Sequence, residues 1–183
     1  MRYASIDSFD ICNGEGVGVS LFVQGCPFRC HGCFNYETWE FDGGHEWTED
    51  IEEKFFKLVD RPYVKRISIL GGEALADKNL DGVLKLVNQI RSLFPEKAIW
   101  IYTGYQWEQI IYPIISADYD SKKALMDKRK EIVCMADVLV DGRFENDKKD
   151  LSLKFRGSTN QRIIDIKKSL DKGDVILWDT FYI

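Results

Sequence analysis

Three cysteines within eight residues constrain this chain more than any other feature of its sequence. They are Cys26, Cys30 and Cys33, in the spacing C-x3-C-x2-C, and no fourth cysteine lies nearby. Thiolate sulfur is a soft ligand that suits iron–sulfur clusters, and a [4Fe–4S] cube has four irons to hold. Three local ligands therefore predict a cluster with one iron that no protein sulfur binds. A small molecule can dock and react at such an iron.

A structural zinc site is the alternative for the same three cysteines. Tetrahedral zinc needs a fourth ligand, and the chain contains two histidines. His31 lies too close to its cysteine neighbours to serve comfortably, whereas His45 stays open as a candidate. Paired C-x2-C arms are the commoner zinc pattern, so the spacing favours the cluster.

Composition narrows the class of protein. The 183 residues suit one domain, which we predict over 1–183. The start of the chain lacks the apolar core of a secretory signal, and no apolar run is long enough for a membrane span. A net charge of −5 argues against a nucleic-acid partner. Five cysteines form an odd set that suits a reduced, cytoplasmic protein better than a disulfide framework.

Apolar runs rich in β-branched residues alternate with helical patterns along the chain. The predicted strands are 17–23, 66–70, 98–102, 138–140, 162–166 and 175–178. The predicted helices are 50–59, capped by Thr48, then 80–94, 107–115 and 122–133. The polar stretch 145–150 is expected to be an exposed loop.

This alternation predicts an α/β protein with a mostly parallel sheet and right-handed crossovers. Continuously apolar strands indicate that both faces of the sheet are covered. A complete eightfold barrel needs about 250 residues, so this chain is too short for one. We therefore predict a partial, open β/α barrel.

Polar and glycine residues follow several of the predicted strands. Glycines let the backbone approach a ligand closely, and ligands bind at the carboxyl ends of parallel strands. A carboxylate there accepts from an ammonium group, and an arginine binds a carboxylate through two hydrogen bonds, so the edge suits an amino-acid group. Each residue also has an ordinary reading as a turn or surface residue. The candidates are Gly71, Gly72, Glu73, Thr103, Asp141 and Arg143.

Other features of the sequence receive no firm role. The polar run from Arg156 to Arg162 is either a binding element or an ordinary loop. Cys134 fits a small buried hydrophobe, and Cys12 is assigned nothing. Two histidines make histidine-centred acid–base chemistry a weak hypothesis.

The cysteine triplet, followed by Gly71-Gly72-Glu73 after the next strand, resembles the radical S-adenosylmethionine enzymes. Within that superfamily, the chain is similar to the activating enzymes of anaerobic (class III) ribonucleotide reductases. The features that carry this closer resemblance are the short length, the turn 102–105, the segment 137–144 and the run 156–162.

The resemblance implies a [4Fe–4S] cluster on Cys26, Cys30 and Cys33, with S-adenosylmethionine chelating the open iron. The reduced cluster would cleave the cofactor to methionine and a 5′-deoxyadenosyl radical, which takes a hydrogen atom from a glycine of the partner reductase. A low-potential donor such as flavodoxin or ferredoxin would supply the electron. No side chain is implied as catalytic, because the radical derives from the cofactor. The implied cofactor-binding residues are Gly71, Gly72, Glu73, Thr103, Asp141 and Arg143.

Two other classes of function stay open from the sequence. One is a different small radical enzyme, either another glycyl-radical activase or a ring-contracting synthase acting on a small molecule. The other is an iron–sulfur electron-transfer module or a zinc-stabilised binding module.

Overall fold

The computed structural model describes residues 1–113 and 119–179, and its centre is one seven-stranded sheet. The strands are Arg2–Asp10 (β1), Gly18–Val23 (β2), His45–Glu46 (β3), Arg66–Gly71 (β4), Ala98–Tyr102 (β5), Val138–Asp141 (β6) and Arg162–Asp165 (β7). Their spatial order is β3-β1-β2-β4-β5-β6-β7. Strands β2, β4, β5 and β6 run parallel, whereas β1, β3 and β7 pair antiparallel at the two edges. The prediction of an α/β protein with a mostly parallel sheet is confirmed, with the parallel part at the centre.

Five helices lie within the described residues. They are Glu49–Val59 (α1), Leu80–Leu93 (α2), Trp107–Ile111 (α3), Tyr119–Cys134 (α4) and Ile166–Lys172 (α5). The predicted cap of α1 is confirmed, because Thr48 Oγ1 accepts a hydrogen bond from Ile51 N over 3.4 Å. The helix predicted over 107–115 ends earlier, at Ile111, and positions 114 and 115 lie outside the described residues. In the part of the chain that the structure describes, no helix is long and apolar enough to cross a membrane.

The two faces of the sheet are covered by different material. Successive strand side chains point to opposite faces, so each strand contributes to two separate cores. One face packs against all five helices through residues such as Leu21, Ile69 and Ile101. The other, the inner face, packs Trp100 and Val140 against loop side chains. Both faces are covered as predicted, but the helices cover only one of them.

Two sequence-based assignments differ from the structure at the edges of the sheet. β1 was not predicted, because its polar residues break the apolar pattern, and it is held by pairing with β2 and β3. The predicted strand 175–178 is instead a single bridge between Ile164 and Leu177, with Trp178 N donating to Ile163 O over 2.8 Å. β7 runs antiparallel to β6, so no crossover precedes it.

The topology brings several loops to one edge of the sheet. Because β2, β4, β5 and β6 are parallel, their carboxyl ends meet there. The cysteine-bearing loop follows β2, and glycine turns follow the other three strands. The inner face of the sheet below this edge forms the floor of the candidate site.

Candidate functional site

The three cysteines lie on the loop that leaves the carboxyl end of β2, residues 24–39, which we call the cysteine loop. The two ends of this loop are joined by backbone hydrogen bonds. Gly25 N donates to Thr38 O over 2.8 Å, and Cys26 N donates to Trp39 O over 2.9 Å. The sulfur-bearing segment is therefore a closed excursion fixed to the end of a buried strand.

Burial raises the pKa of two of the three cysteine thiols. Burial raises the pKa of Cys26 to about 11. Burial, then the neighbouring Cys33, raises the pKa of Cys30, which Arg143 partly offsets. A backbone N–H is aimed at one sulfur, since Asn35 N donates to Cys33 Sγ over 3.4 Å. Iron binding would displace the thiol protons, because the thiolate is the metal ligand.

All three cysteines line one cavity of about 490 Å³. This volume falls within the usual range of small-molecule and cofactor sites. The cavity is bounded by the cysteine loop, by the inner face of the sheet and by the turns after β4, β5 and β6. Its lining includes Cys26, Cys30, Cys33, Gly71, Gly72, Glu73, Thr103, Gly104, Gly142 and Arg143.

The donor set fits an iron–sulfur cluster better than a single zinc ion. A cluster distributes its thiolates over separate irons, whereas zinc draws four ligands to one point. Among residues 1–113 and 119–179, no three His, Cys, Asp or Glu side chains converge closely enough to hold one ion. His45 is exposed on β3, with its ring 5.5 Å from that of Tyr3, and is not part of the cavity lining. The zinc alternative therefore gains no fourth ligand there.

The turn after β4 lies against the cysteine loop. Gly72 N donates to Val23 O over 2.9 Å, and Glu73 N donates to Gly25 O over 2.8 Å. A Cβ on Gly72 would lie 2.6 Å from the carbonyl oxygen of Gly25. The two backbones are therefore in contact, and a side chain at position 72 has no room.

We expect Gly72→Ala to lower the free energy of unfolding by about 1–3 kcal/mol, because neither backbone can yield without displacing Cys26. Iron uptake on reconstitution should fall with it. The control is Gly173→Ala at the end of α5, where φ is +74° but nothing lies within 4 Å of the added Cβ. That variant should lose about 1 kcal/mol and keep full iron uptake. Equal iron contents in the two variants would contradict the close approach.

The Glu73 carboxylate joins two strand ends. Its Oε1 accepts from Leu75 N over 2.9 Å and from Thr103 Oγ1 over 2.8 Å. Its Oε2 accepts from Gly104 N over 2.7 Å. The residue is 1% exposed. Glu73 thus fixes the turn after β4 to the turn after β5, and both carboxylate oxygens are already engaged.

Burial raises the pKa of Glu73 to about 6, against the opposing hydrogen bonds from Gly104, Leu75 and Thr103. Between the ordinary pKa of 4.5 and about 6, the folded chain holds a proton that the unfolded chain has lost. Stability should therefore fall by about 2 kcal/mol as pH rises through this window. Urea unfolding of the metal-free protein, compared with Glu73→Gln, should show this slope only in the parent chain.

A control carboxylate should behave in the opposite way. Exposed Glu53 has a pKa lowered by the hydrogen bond from Lys57, so its stabilising effect is lost as pH falls. A stability difference between the parent and Glu73→Gln that does not change with pH would contradict the raised pKa of Glu73.

The structure separates the two residues predicted at the end of β6. Asp141 is 1% exposed and is not part of the cavity lining. Its carboxylate accepts from Trp107 N over 2.8 Å and from two nitrogens of Arg162, over 3.0 and 2.5 Å. Arg143 is exposed at the cavity, with its guanidinium 4.3 Å from the centroid of the Phe28 ring. Asp141 was predicted to bind the cofactor. Its position outside the cavity lining gives that prediction no support, so it stays a prediction.

The polar run 156–162 forms a hydrogen-bonded loop beside the cavity. Gln161 Oε1 accepts from Gly157 N over 2.9 Å, and Gln161 Nε2 donates to Gly142 O over 3.1 Å. Asn160 Nδ2 donates to Arg143 O over 2.8 Å. These contacts hold the turn that presents Arg143, so the run positions the rim of the cavity.

Sequence reasoning missed several residues that line the cavity. Cys12 lines it because the loop after β1 folds back across the inner face. Phe155 lines it with a positive φ of 58° and packs edge-on against Trp100, at 5.5 Å between ring centroids. Such a φ is rare for a bulky residue, and no residue-type pattern signals it.

Comparisons with known proteins agree with this geometry. Residues 12–164 match a family model described as a 4Fe-4S single cluster domain. The chain is 36% identical over 165 residues to the anaerobic ribonucleoside-triphosphate reductase-activating protein of Vibrio cholerae, covering 89% of this chain and 97% of that one. The protein of the same name from Escherichia coli (strain K12) is 37% identical over 163 residues, covering 88% and 96%. That of Enterobacteria phage T4 is 33% identical over 165 residues, covering 89% and 93%.

The family match over residues 12–164 first defines the class of protein: the chain contains a 4Fe–4S single cluster domain. The identities over most of both chains then define the group within it. The chain belongs to the family of anaerobic ribonucleoside-triphosphate reductase-activating proteins.

Proposed function

We propose that this chain is a radical S-adenosylmethionine enzyme that installs a glycyl radical on an anaerobic ribonucleotide reductase. One observation carries the proposal: three thiols and three strand-end turns share a single cavity of about 490 Å³. The names of the relatives supply the target, since each is called an activating protein of the anaerobic reductase.

In this proposal Cys26, Cys30 and Cys33 hold the [4Fe–4S] cluster. When bound, the cluster and S-adenosylmethionine supply one-electron cleavage of a sulfonium C–S bond and removal of a hydrogen atom from a glycine. The cysteine loop orients the ligands through the hydrogen bonds that join its two ends. The protein therefore contributes position and exclusion of water, while the bound groups contribute the reactivity.

S-Adenosylmethionine would occupy the part of the cavity at the strand ends. The Gly71–Gly72 turn presents backbone without side chains, which suits close approach of the amino-acid end of the cofactor. The exposed guanidinium of Arg143 suits its carboxylate. Thr103 and Glu73 hold the turn after β5 in place. Asp141 has an indirect role in this proposal: its ion pair with Arg162 holds the end of β6, which Arg143 follows.

We further propose that the sheet is part of an open radical S-adenosylmethionine barrel and that residues 1–183 form one such domain. Two features support this architecture: the helices cover only one face of the sheet, and loops cover its inner face. Exposed Phe34 and Arg143 belong to the lining, so the cavity opens to solvent. A wide mouth suits a segment of a protein substrate.

The remaining partners follow from the chemistry. A low-potential donor such as flavodoxin or ferredoxin would reduce the cluster. The five cysteines are all free, which supports a reducing compartment such as the cytoplasm.

The test is anaerobic reconstitution with iron and sulfide, followed by addition of reductant, S-adenosylmethionine and the reductase. We expect a brown protein with about four irons per chain, formation of 5′-deoxyadenosine, and a glycyl-radical signal in the electron paramagnetic resonance spectrum of the reductase. The signal should require all components.

Three outcomes would contradict the proposal. A colourless, zinc-loaded protein would indicate a binding module. A brown protein that never yields 5′-deoxyadenosine would indicate electron transfer. Productive turnover of a small molecule without the reductase would indicate a different radical enzyme.

A further inference from the structure

A set of large side chains forms a lip at the mouth of the cavity. It comprises Phe34, Phe144, Lys149, Leu151 and Arg156. Phe34 lines the cavity and is 57% exposed, and Leu151, outside the lining, is 82% exposed. Exposed apolar surface rimmed by polar residues typically marks an interaction site.

The lip is built on a hairpin that faces the cysteine loop. The backbones of Lys149 and Ser158 pair in an antiparallel β-bridge, and Asp150 N donates to Gly157 O over 3.2 Å. Leu151 therefore lies near the tip of the hairpin. The Phe34 and Phe144 rings meet edge-on at 5.4 Å between centroids. Phe34 therefore joins the cysteine loop to the hairpin, and the lip is continuous with the cavity.

The lip is cationic although the whole chain carries a net charge of −5. Segment 143–158 contains five basic and three acidic residues. Two of the acids are engaged locally, since Glu145 pairs with Lys148 at 2.7 Å and Asp150 accepts from Ser152. Within residues 1–113 and 119–179, neither Lys149 nor Arg156 has a carboxylate partner.

The lysine and the arginine are held in place by other contacts. The Lys149 ammonium lies 4.8 Å from the centroid of the Phe34 ring. Arg156 Nη1 donates to Gln161 O over 2.6 Å. Both cations are therefore positioned beside the apolar part of the lip and are available to an incoming carboxylate.

The partner that must touch this mouth is the substrate. Hydrogen-atom transfer requires the reacting atoms to approach to about 3–3.5 Å. A protein that donates only an electron has no need to enter the cavity. Phe34 and Arg143 are exposed and belong to the lining, so the cavity is open to an incoming segment on this side.

Resting on the proposed function, we infer that the lip docks an extended segment of the reductase in which an acidic residue lies beside a large apolar side chain. Leu151 and Phe34 contact the apolar side chain. Lys149 and Arg156 bind the carboxylate. The glycine that is activated then enters the cavity between the cysteine loop and the strand ends.

The test measures reductase binding by cluster-loaded protein under anaerobic conditions. The variants are Leu151→Ser and Lys149→Glu, neither of which lines the cavity. Matched controls are Leu93→Ser, at a leucine 57% exposed on α2, and Lys54→Glu, at an exposed lysine of α1. We expect each lip variant to raise the Kd for the reductase roughly tenfold, as expected for an interface residue that contributes measurably to binding. Lys149→Glu should also reduce the dependence of the Kd on salt.

A second measurement separates the inference from the proposed function. The Kd for S-adenosylmethionine should stay within about twofold in all four variants, since none of the four substituted residues lines the cavity. Unchanged reductase binding by both lip variants overturns the lip alone. A raised Kd for flavodoxin with an unchanged Kd for the reductase also overturns it, because the lip would then serve the electron donor. Failure of the parent protein to bind the reductase contradicts the proposed function itself.

Discussion

Replacement of Cys30 by alanine is expected to abolish stable cluster binding and, with it, cleavage of S-adenosylmethionine. Two remaining thiolates leave two irons of the cube without a protein ligand. Mutation of a group that only hydrogen-bonds to a metal ligand typically lowers metal affinity about 10–100-fold. Loss of a ligand itself should therefore lower iron retention by at least about tenfold. Iron and sulfide content, visible absorption and 5′-deoxyadenosine formation measure the effect.

Two other cysteines provide matched controls for this substitution. The prediction that Cys134 is buried is wrong, because this residue is exposed at the end of α4. It does not line the cavity, so Cys134→Ala should keep full iron content. Cys12→Ala removes a thiol that lines the cavity but lies outside the C-x3-C-x2-C run. It should retain the cluster as well. Loss of iron in Cys12→Ala, with retention in Cys30→Ala, would show that the ligand set had been assigned wrongly.

The centre of the fold was readable from the sequence because its strands are buried on both faces. β5 was predicted at its observed bounds, since five consecutive apolar residues leave little choice. β1 was missed because its burial alternates only partly and its order depends on β2 and β3. The antiparallel direction of β7 depends on the chain reversal across 142–161, which no local pattern specifies.

Those parts of the candidate site that depend on residue type could be predicted from the sequence. The cysteine spacing and the glycines after β4 place backbone and sulfur at one edge without any structural information. The engagement of Asp141 was not readable, because its partner Arg162 lies 21 residues away along the chain. Phe155 was also missed, since neither its positive φ nor its contact with Trp100 is signalled by its residue type.

A buried ion pair beneath the cavity should make a large contribution to stability. Arg66 and Asp10 are almost fully buried and lie 3.3 Å apart. Arg66 also donates to Ser68 Oγ over 2.8 Å and to Asp10 O over 2.9 Å. Burial acts to raise the pKa of Asp10, but hydrogen bonds from Ser20, Cys12 and Asn13, with the Arg66 charge, hold it below its ordinary value. The carboxylate therefore stays ionised and depends on its partners.

Arg66→Met should lower the free energy of unfolding by about 3–5 kcal/mol, because it leaves the Asp10 charge buried without its cation. The double variant Asp10→Asn/Arg66→Met should recover part of this loss, since no uncompensated charge then remains. Urea unfolding of the metal-free, reduced protein measures both. The control is Lys57→Met, which removes an exposed pair with Glu53 at 2.6 Å and should change stability by less than about 1 kcal/mol. A loss in Arg66→Met no larger than that of the control would show that the hydrogen bonds from Cys12, Asn13 and Ser20 suffice to stabilise the buried Asp10 carboxylate.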